Sequence, residues 1–251
     1  MTIMISFPQA LYSVLPFRIA RSASLLFDAW ISCLLLATSR LLPTLRSHLP
    51  RSPGHLASRT AIVTSSNSGI GLQIATDLAK LGARVVLACC NIEKGEVAKS
   101  VILSQVPAAV DRIEVRQLDI SSLSSVWYFC EEESEQRPQE RSVDVLVHNA
   151  GISNTPRDFS EFFEGGFELT YAPNFLGSFL LTYLLEQQLT DDARIVFTSS
   201  TGQYSGRIGD NLSLVFVRND AEAGSHVLSR SKSASSSSRY SVTKVMQCAF
   251  A

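Results

Sequence analysis

Residues 60–71 read TAIVTSSNSGIG, and no other stretch constrains the fold as much. Ala61, Ile62 and Val63 form a short apolar run that predicts a buried strand. Small polar residues follow, then two glycines in Gly-x-Gly spacing, Gly69 and Gly71. Leu72, Ile74, Ala75, Leu78, Ala79 and Leu81 supply the apolar face of a helix. A strand, a turn of small residues and a helix make a corner suited to a pyrophosphate. There the helix amino end and bare backbone amides meet the anion, and a Cβ would hold it off. Taken alone, the corner fits equally a tight strand-to-helix turn in any α/β protein.

The chain beyond the corner alternates. Arg84–Cys89 is a β-branched run that predicts a strand, and Glu93–Gln105 a helix. Arg112–Leu118 reads as a third strand, closed by Asp119. Ser121 or Ser122 caps a helix reaching Glu131–Glu135, whose run Glu131-Glu132-Glu133 is expected on a solvated face. Val143–Val147 is a fourth strand, Glu168–Leu189 a long apolar-rich helix, and Arg194–Thr198 a fifth strand. Strands alternating with helices of this length predict a doubly wound parallel sheet, fold class α/β. A chain of 251 residues, 45% hydrophobic, suffices for one such domain plus an appendage. A net charge of −1 argues against nucleic acid as a partner. Cys33, Cys89, Cys90, Cys130 and Cys248 show no metal-ligand spacing, so no metal is expected and the thiols are read as free.

Residues 1–57 differ from the rest. Arg18 and Arg21 precede an apolar run, 22–39, that is about long enough to cross a hydrocarbon layer, although Asp28 interrupts it. Arg40, Arg46 and Arg51 follow, before a Pro- and Ser-bearing linker. The expectation is a membrane anchor or interfacial helix over 22–39, with the main domain facing the cytosol, at the endoplasmic reticulum. An organelle-targeting segment and an apolar extension packed on the domain remain open.

From Thr60 onward the motifs are those of a known family. Leu87–Gly95, Leu118-Asp119-Ile120, His148-Asn149-Ala150-Gly151, Gly166–Gly177, Ser199-Ser200 and the Tyr-x-x-x-Lys of Tyr240–Lys244 stand in order at strand ends and on helices. In this order the chain resembles the short-chain dehydrogenase/reductases, in their retinol-dehydrogenase-like branch. The resemblance implies a Rossmann-like fold and an NAD(P)-dependent oxidoreductase. It would interconvert a lipophilic alcohol and its ketone or aldehyde. It implies a relay of Asn174, Ser200, Tyr240 and Lys244, with Ser199 the neighbouring candidate for the serine role. Tyr240 and Lys244, four apart, share one helix face. A lysine cation beside a phenol favours its ionised form, which suits a general acid or base. The cofactor site implied is Ser65, Asn67, Ser68, Gly69, Ile70, Gly71, Cys90, Asp119, Asn149, Ala150 and Gly151 with Tyr240 and Lys244. Asp119 could equally cap a helix. A homodimer is a further possibility of the family.

The chain also departs from that pattern. Ser65 stands where the family's first glycine would be; if that position needs positive φ, a serine costs about 1 to 2 kcal/mol. Cys89 and Cys90 carry neither of the charges that select a cofactor, so NADP is expected on family grounds and NAD is not excluded. Pro173 precedes Asn174 inside an expected helix, where proline normally kinks the chain. A Ser-rich insertion at 203–238 separates Ser200 from Tyr240. The chain stops seven residues after Lys244, so 58–251 is expected to be an incomplete domain lacking its last strands. Two functions therefore remain open: a membrane-associated oxidoreductase, and a non-catalytic or fragmentary relative that keeps part of a dinucleotide-binding fold.

Overall fold

A computed structural model describes residues 54–136, 142–153, 170–200, 202–203 and 236–250. In chain order the elements are β1 (Thr60–Thr64), α1 (Gly69–Lys80), β2 (Arg84–Cys89), α2 (Ile92–Gln105), β3 (Ile113–Gln117), α3 (Leu123–Gln136) and β4 (Val143–His148). Then come α4 (Gly177–Leu184), β5 (Leu189–Phe197) and α5 (Ser236–Phe250). The strands pair in the order β3-β2-β1-β4-β5, every pair parallel. This is the expected doubly wound sheet, and its strand order reverses between β1 and β4. Ligands in such sheets bind outside the carboxyl ends of the strands at that switch point.

The strands read as continuous apolar runs because both faces are covered. Ile62, Val86 and Leu146 stand in register and pack with Val126, Phe129 and Leu181. Their neighbours Val63, Leu87 and Val147 point the other way, against Ala75, Ala79, Ala98 and Ile102. A period of two thus splits each strand between two cores.

Helix starts follow local chemistry. Asn91 caps α2 by accepting from the Lys94 amide at 2.8 Å. Of the two serines proposed for α3, Ser122 does the capping, accepting from the Ser125 amide.

The structure corrects several sequence expectations. The helix expected over 168–189 is shorter: Ala172–Leu176 forms a π turn, α4 ends at Leu184, a 3-10 turn covers Glu186–Gln188, and Leu189 already belongs to β5. Pro173 lies in the first positions of the π turn, where its missing N–H costs little. Strand β5 runs longer than expected because it is bulged: while β4 passes from Val143 to Val145, β5 passes from Leu189 to Arg194. In the bulge Asp192 meets Arg59 at 3.0 Å, and the same guanidinium holds Asp144 of β4 at 2.5 Å. Glu131 and Glu132 are exposed as expected, but Glu133 is fully buried, 2.6 Å from Arg116 of β3. The stretch read as a Ser-rich insertion, 203–238, overlaps the start of α5 at Ser236.

Among the described residues no helix is long and apolar enough to cross a membrane. The run 22–39, and most of the insertion, lie outside them. Cys89, Cys90, Cys130 and Cys248 are free thiols, and no metal-ligating cluster occurs among the described residues.

Candidate active site

The carboxyl ends of β1 and β4 are knitted by side chains. Thr64 Oγ1 donates to the Val147 carbonyl (3.2 Å) and accepts from the amides of Asn149 (2.9 Å) and Ala150 (3.0 Å). Asn149 Nδ2 donates back to the carbonyls of Thr64 (3.2 Å) and Ser65 (3.3 Å), and its Oδ1 accepts from Thr198 Oγ1 at 3.2 Å. Three strand ends are thus tied through one amide. Gly71 makes this possible: a Cβ there would overlap the Ser65 carbonyl and lie 2.5 Å from Asn149 Nδ2.

This corner fits a phosphate. The Ser68 side chain makes no capping bond at the start of α1, and the first turn holds no acid. The amide donors of the helix amino end are therefore not spent on a side-chain cap. Gly69 adopts φ +56° with nothing within 4 Å of where its Cβ would be, so backbone faces open space. Ser65, at the first-glycine position, has φ +52°, so the left-handed conformation does fall on a serine. That geometry costs a non-glycine residue about 1 to 2 kcal/mol.

A cleft of about 200 Å³ opens beside the corner. Of the expected cofactor residues, Ser65, Asn67, Cys90, Asp119, Ala150 and Gly151 line it. Ser68, Gly69 and Ile70 are exposed at the amino end of α1, while Gly71 and Asn149 work behind the cleft wall. Cys90 is exposed and brings no charge to the end of β2. Asp119 lines the cleft but does not cap α3, the role that falls to Ser122. Its Oδ1 accepts from the amide (2.9 Å) and hydroxyl (2.5 Å) of Ser121.

Of the expected relay residues, Asn174 and Lys244 stand behind Gly151, a residue of the cleft wall. A methyl group on Gly151 would stand 3.2 Å from Asn174 Oδ1 and 3.5 Å from Lys244 Nζ, so both flank the same point of the wall. One on Gly202 would stand 3.1 Å from the Tyr240 ring and 3.5 Å from Ser200 Oγ, so phenol and hydroxyl share a second point. Lys244 Nζ lies 5.6 Å from the Tyr240 ring centroid and donates to the Thr198 carbonyl at 2.8 Å. Asn174 is fully buried and clamps residue 152, accepting from its amide (2.8 Å) and donating to its carbonyl (2.9 Å). Ser199 turns elsewhere, donating to Gln203 Oε1 at 2.9 Å. Of the two serines, Ser200 is the one beside Tyr240.

Sequence reasoning missed the supports. Thr64, Thr198, Thr243 and Gln247 each hold a site residue through hydrogen bonds spanning 46 to 86 positions. Only the i+3 spacing of Gln247 after Lys244 hinted that it shares that helix face.

Electrostatically the site is a buried cation beside neutral polar groups. Lys244 is 3% exposed, and burial pushes its ammonium below the ordinary lysine value, with Cys248 acting in the opposite direction. His148 lies deeper, stacked on Phe197 at 4.6 Å. Thr182 Oγ1 donates to the Ser178 carbonyl, so His148 Nε2 is the donor in its 2.8 Å bond to that hydroxyl. Its Nδ1 has no hydrogen-bond partner among the described residues, and burial lowers its pKa to about 3. His148 is thus a packed, neutral histidine beneath the site.

Comparison with known proteins gives a consistent set of matches. A family model described as short chain dehydrogenase matches residues 59–211. Retinol dehydrogenase 11 of Mus musculus is 38% identical over 177 residues, which are 70% of this chain and 54% of that protein. Dehydrogenase/reductase SDR family member 13 of Bos taurus is 39% identical over 160 residues, 63% of this chain and 40% of its own. The chain thus spans about half the length of the curated relatives it matches. Among solved structures, an uncharacterized protein from Mycobacterium Paratuberculosis superposes with TM-score 0.58 at 34% identity, covering 77% of this chain and 60% of that one. A short chain dehydrogenase from Shigella flexneri 2a complexed with NADP superposes with TM-score 0.56 at 21% identity, covering 79% and 71%, a likeness of fold alone.

Proposed function

This chain belongs to the short-chain dehydrogenase family, and from that membership we propose that it is an NAD(P)-dependent oxidoreductase acting on a lipophilic alcohol or its ketone or aldehyde. The observation that supports the reading most is that Asn174 and Lys244 meet at Gly151, Tyr240 and Ser200 meet at Gly202, and Lys244 lies 5.6 Å from the Tyr240 ring, although 70 positions separate Asn174 from Lys244. The bound cofactor would supply or accept the hydride. The residues would handle the proton and the position. Ser200 donates to the substrate oxygen. Tyr240 gives its proton to that oxygen in reduction and takes it back in oxidation. Lys244 stands behind the phenol as the buried cation, and Asn174 fixes the wall at residue 152. Ser65, Asn67 and the amino end of α1 face the pyrophosphate, and Asp119 the adenosine end.

The lipophilic substrate class comes from relatives named retinol dehydrogenases. NADP is proposed over NAD on the same grounds, since Cys90 does not select between them. We further propose that residues 1–57 form an anchoring segment, with membrane association through 22–39 and residues 58–251 facing the cytosol, and that the domain pairs as a homodimer. A second reading, a nucleotide-binding relative without turnover, draws on one observation: the left-handed serine at the phosphate corner.

The test is a thermal-shift titration of the full chain with NADPH and NADH, beside Lys244→Ala, followed by hydride transfer to retinal. A cofactor-dependent rise in Tm that Lys244→Ala weakens, with oxidation of the preferred nucleotide, supports the enzyme. A rise without turnover on any carbonyl supports the second reading. No response to either nucleotide sinks both.

A further inference from the structure

The helix carrying Tyr240 and Lys244 grips Asn174 twice. Thr243 Oγ1 accepts from Asn174 Nδ2 at 3.1 Å, and one turn later Gln247 Nε2 donates to the Asn174 carbonyl at 2.6 Å. Residues four apart on a helix share a face, and Lys244 sits between these two. Gln247 is fully buried, and its Oε1 has no hydrogen-bond partner among the described residues. The orientation of its amide is fixed, because Oε1 turned toward the Asn174 carbonyl would set two acceptors against each other. A buried, unpartnered acceptor destabilises a fold, and an apolar side chain of the same length would avoid it. Such local rule-breaking is expected where position matters more than stability. The grip also falls on the π turn around Pro173, where the helical ladder is interrupted.

We infer that Gln247 is a positioning residue: by holding the Asn174 carbonyl against α5, it sets Asn174 relative to Lys244 and so tunes the proton transfer. The inference rests on the oxidoreductase reading above. The titratable groups facing Lys244 among the described residues are Tyr240 and Cys248, both on α5; Gly151, Asn174 and Thr198, from the other elements, are neutral.

The experiment uses the full chain, with Gln247→Met, which keeps length but loses the donor, and Gln247→Glu, which keeps shape but turns an acceptor toward the carbonyl. Readouts are kcat and KM with retinal and NADPH, the pH dependence of kcat, and the titration of the Lys244 side chain followed by 13C NMR. The expected result for Gln247→Met is a fall in kcat of about ten- to hundredfold, the scale of a small misplacement at a reacting centre. KM and the NADPH-induced rise in Tm stay at parental values, and the Lys244 titration and the pH profile move together. Parental kcat with an unmoved Lys244 titration overturns the inference and leaves Gln247 a packing residue. If the parent itself shows no turnover, the oxidoreductase reading fails separately and the Lys244 titration alone decides the role of Gln247. If Gln247→Met does not fold, Gln247→Glu carries the same readouts; loss of a cooperative melt in both assigns Gln247 to stability alone and overturns the inference.

Discussion

The two halves of the site are held by different means. The phosphate corner is made by strands β1 and β4 lying side by side, with Thr64 and Asn149 closing hydrogen bonds onto backbone at the strand ends. The relay end is made by elements that meet only once the chain has folded: the end of β5, the π turn and α5. In the first, the parallel ladder sets position and side chains finish it. In the second, side chains set position, with Lys244, Asn174 and Gln247 each reaching a backbone carbonyl on another element. A corner built on a ladder tolerates strain, as Ser65 shows. At the relay end Asn174 is held by several side-chain hydrogen bonds, whereas Lys244 is held by its one bond to the Thr198 carbonyl.

The sharpest break of this contrast is Tyr240→Phe, which removes a hydroxyl at the relay end and nothing from the corner. Turnover is expected to fall about 10²- to 10⁴-fold, the usual worth of a positioned proton donor, with the cofactor-induced rise in Tm retained. Steady-state rates beside a thermal-shift titration check both halves; loss of cofactor binding in this variant would mean the two ends are not separable.

The reciprocal break is Gly71→Ala. The new methyl meets the Ser65 carbonyl and Asn149 Nδ2 behind the cleft wall, and the backbone cannot yield. A destabilisation of about 3 kcal/mol is expected, read by urea denaturation, with cofactor response lost before the fold is. Parental stability would show that the corner is slacker than its hydrogen bonds imply.

A pH-dependent effect separates the sheet beneath both halves from either. The unfolded chain protonates His148 near 6.5, whereas the folded chain holds it neutral until about 3. Protons therefore bind the unfolded state first, and His148 makes stability fall as pH drops from 6.5 toward 3. The slope is at most about 1.4 kcal/mol per pH unit. His148→Asn should remove that component, seen as a shallower loss of stability across the window in urea denaturation at a series of pH values.

The smallest effect is at the strained residue. Ser65→Gly relieves a left-handed serine and should raise stability by about 1 kcal/mol, while tightening the cofactor response. An unchanged or weakened response would mean the serine hydroxyl itself contributes to binding.

Much of this architecture was legible in the residues. The apolar runs of β1, β2 and β4 are readable because a parallel strand covered on both faces must be apolar throughout. The edges of legibility are equally physical. Glu133 reads as one of three solvated carboxylates, because its partner Arg116 is on another element. The length of β5 was hidden by Thr190, Asp191 and Asp192, polar residues that the bulge and Arg59 accommodate. Helix α4 was read too long because the apolar run continues past the point where the chain turns into β5.

For the site the division is similar. Local residue order already establishes which groups are available: two glycines and a run of small polar residues after the first strand, an asparagine after a proline, a serine at a strand end, and a tyrosine and lysine one turn apart. Those are matters of local spacing, which covalent geometry converts directly into a turn or a helix face. The folded arrangement alone settles that Ser65 is left-handed and that Thr243 and Gln247 hold Asn174. Each of these depends on hydrogen bonds closed across tens of residues, and such bonds exist only once the sheet has fixed where its strand ends lie.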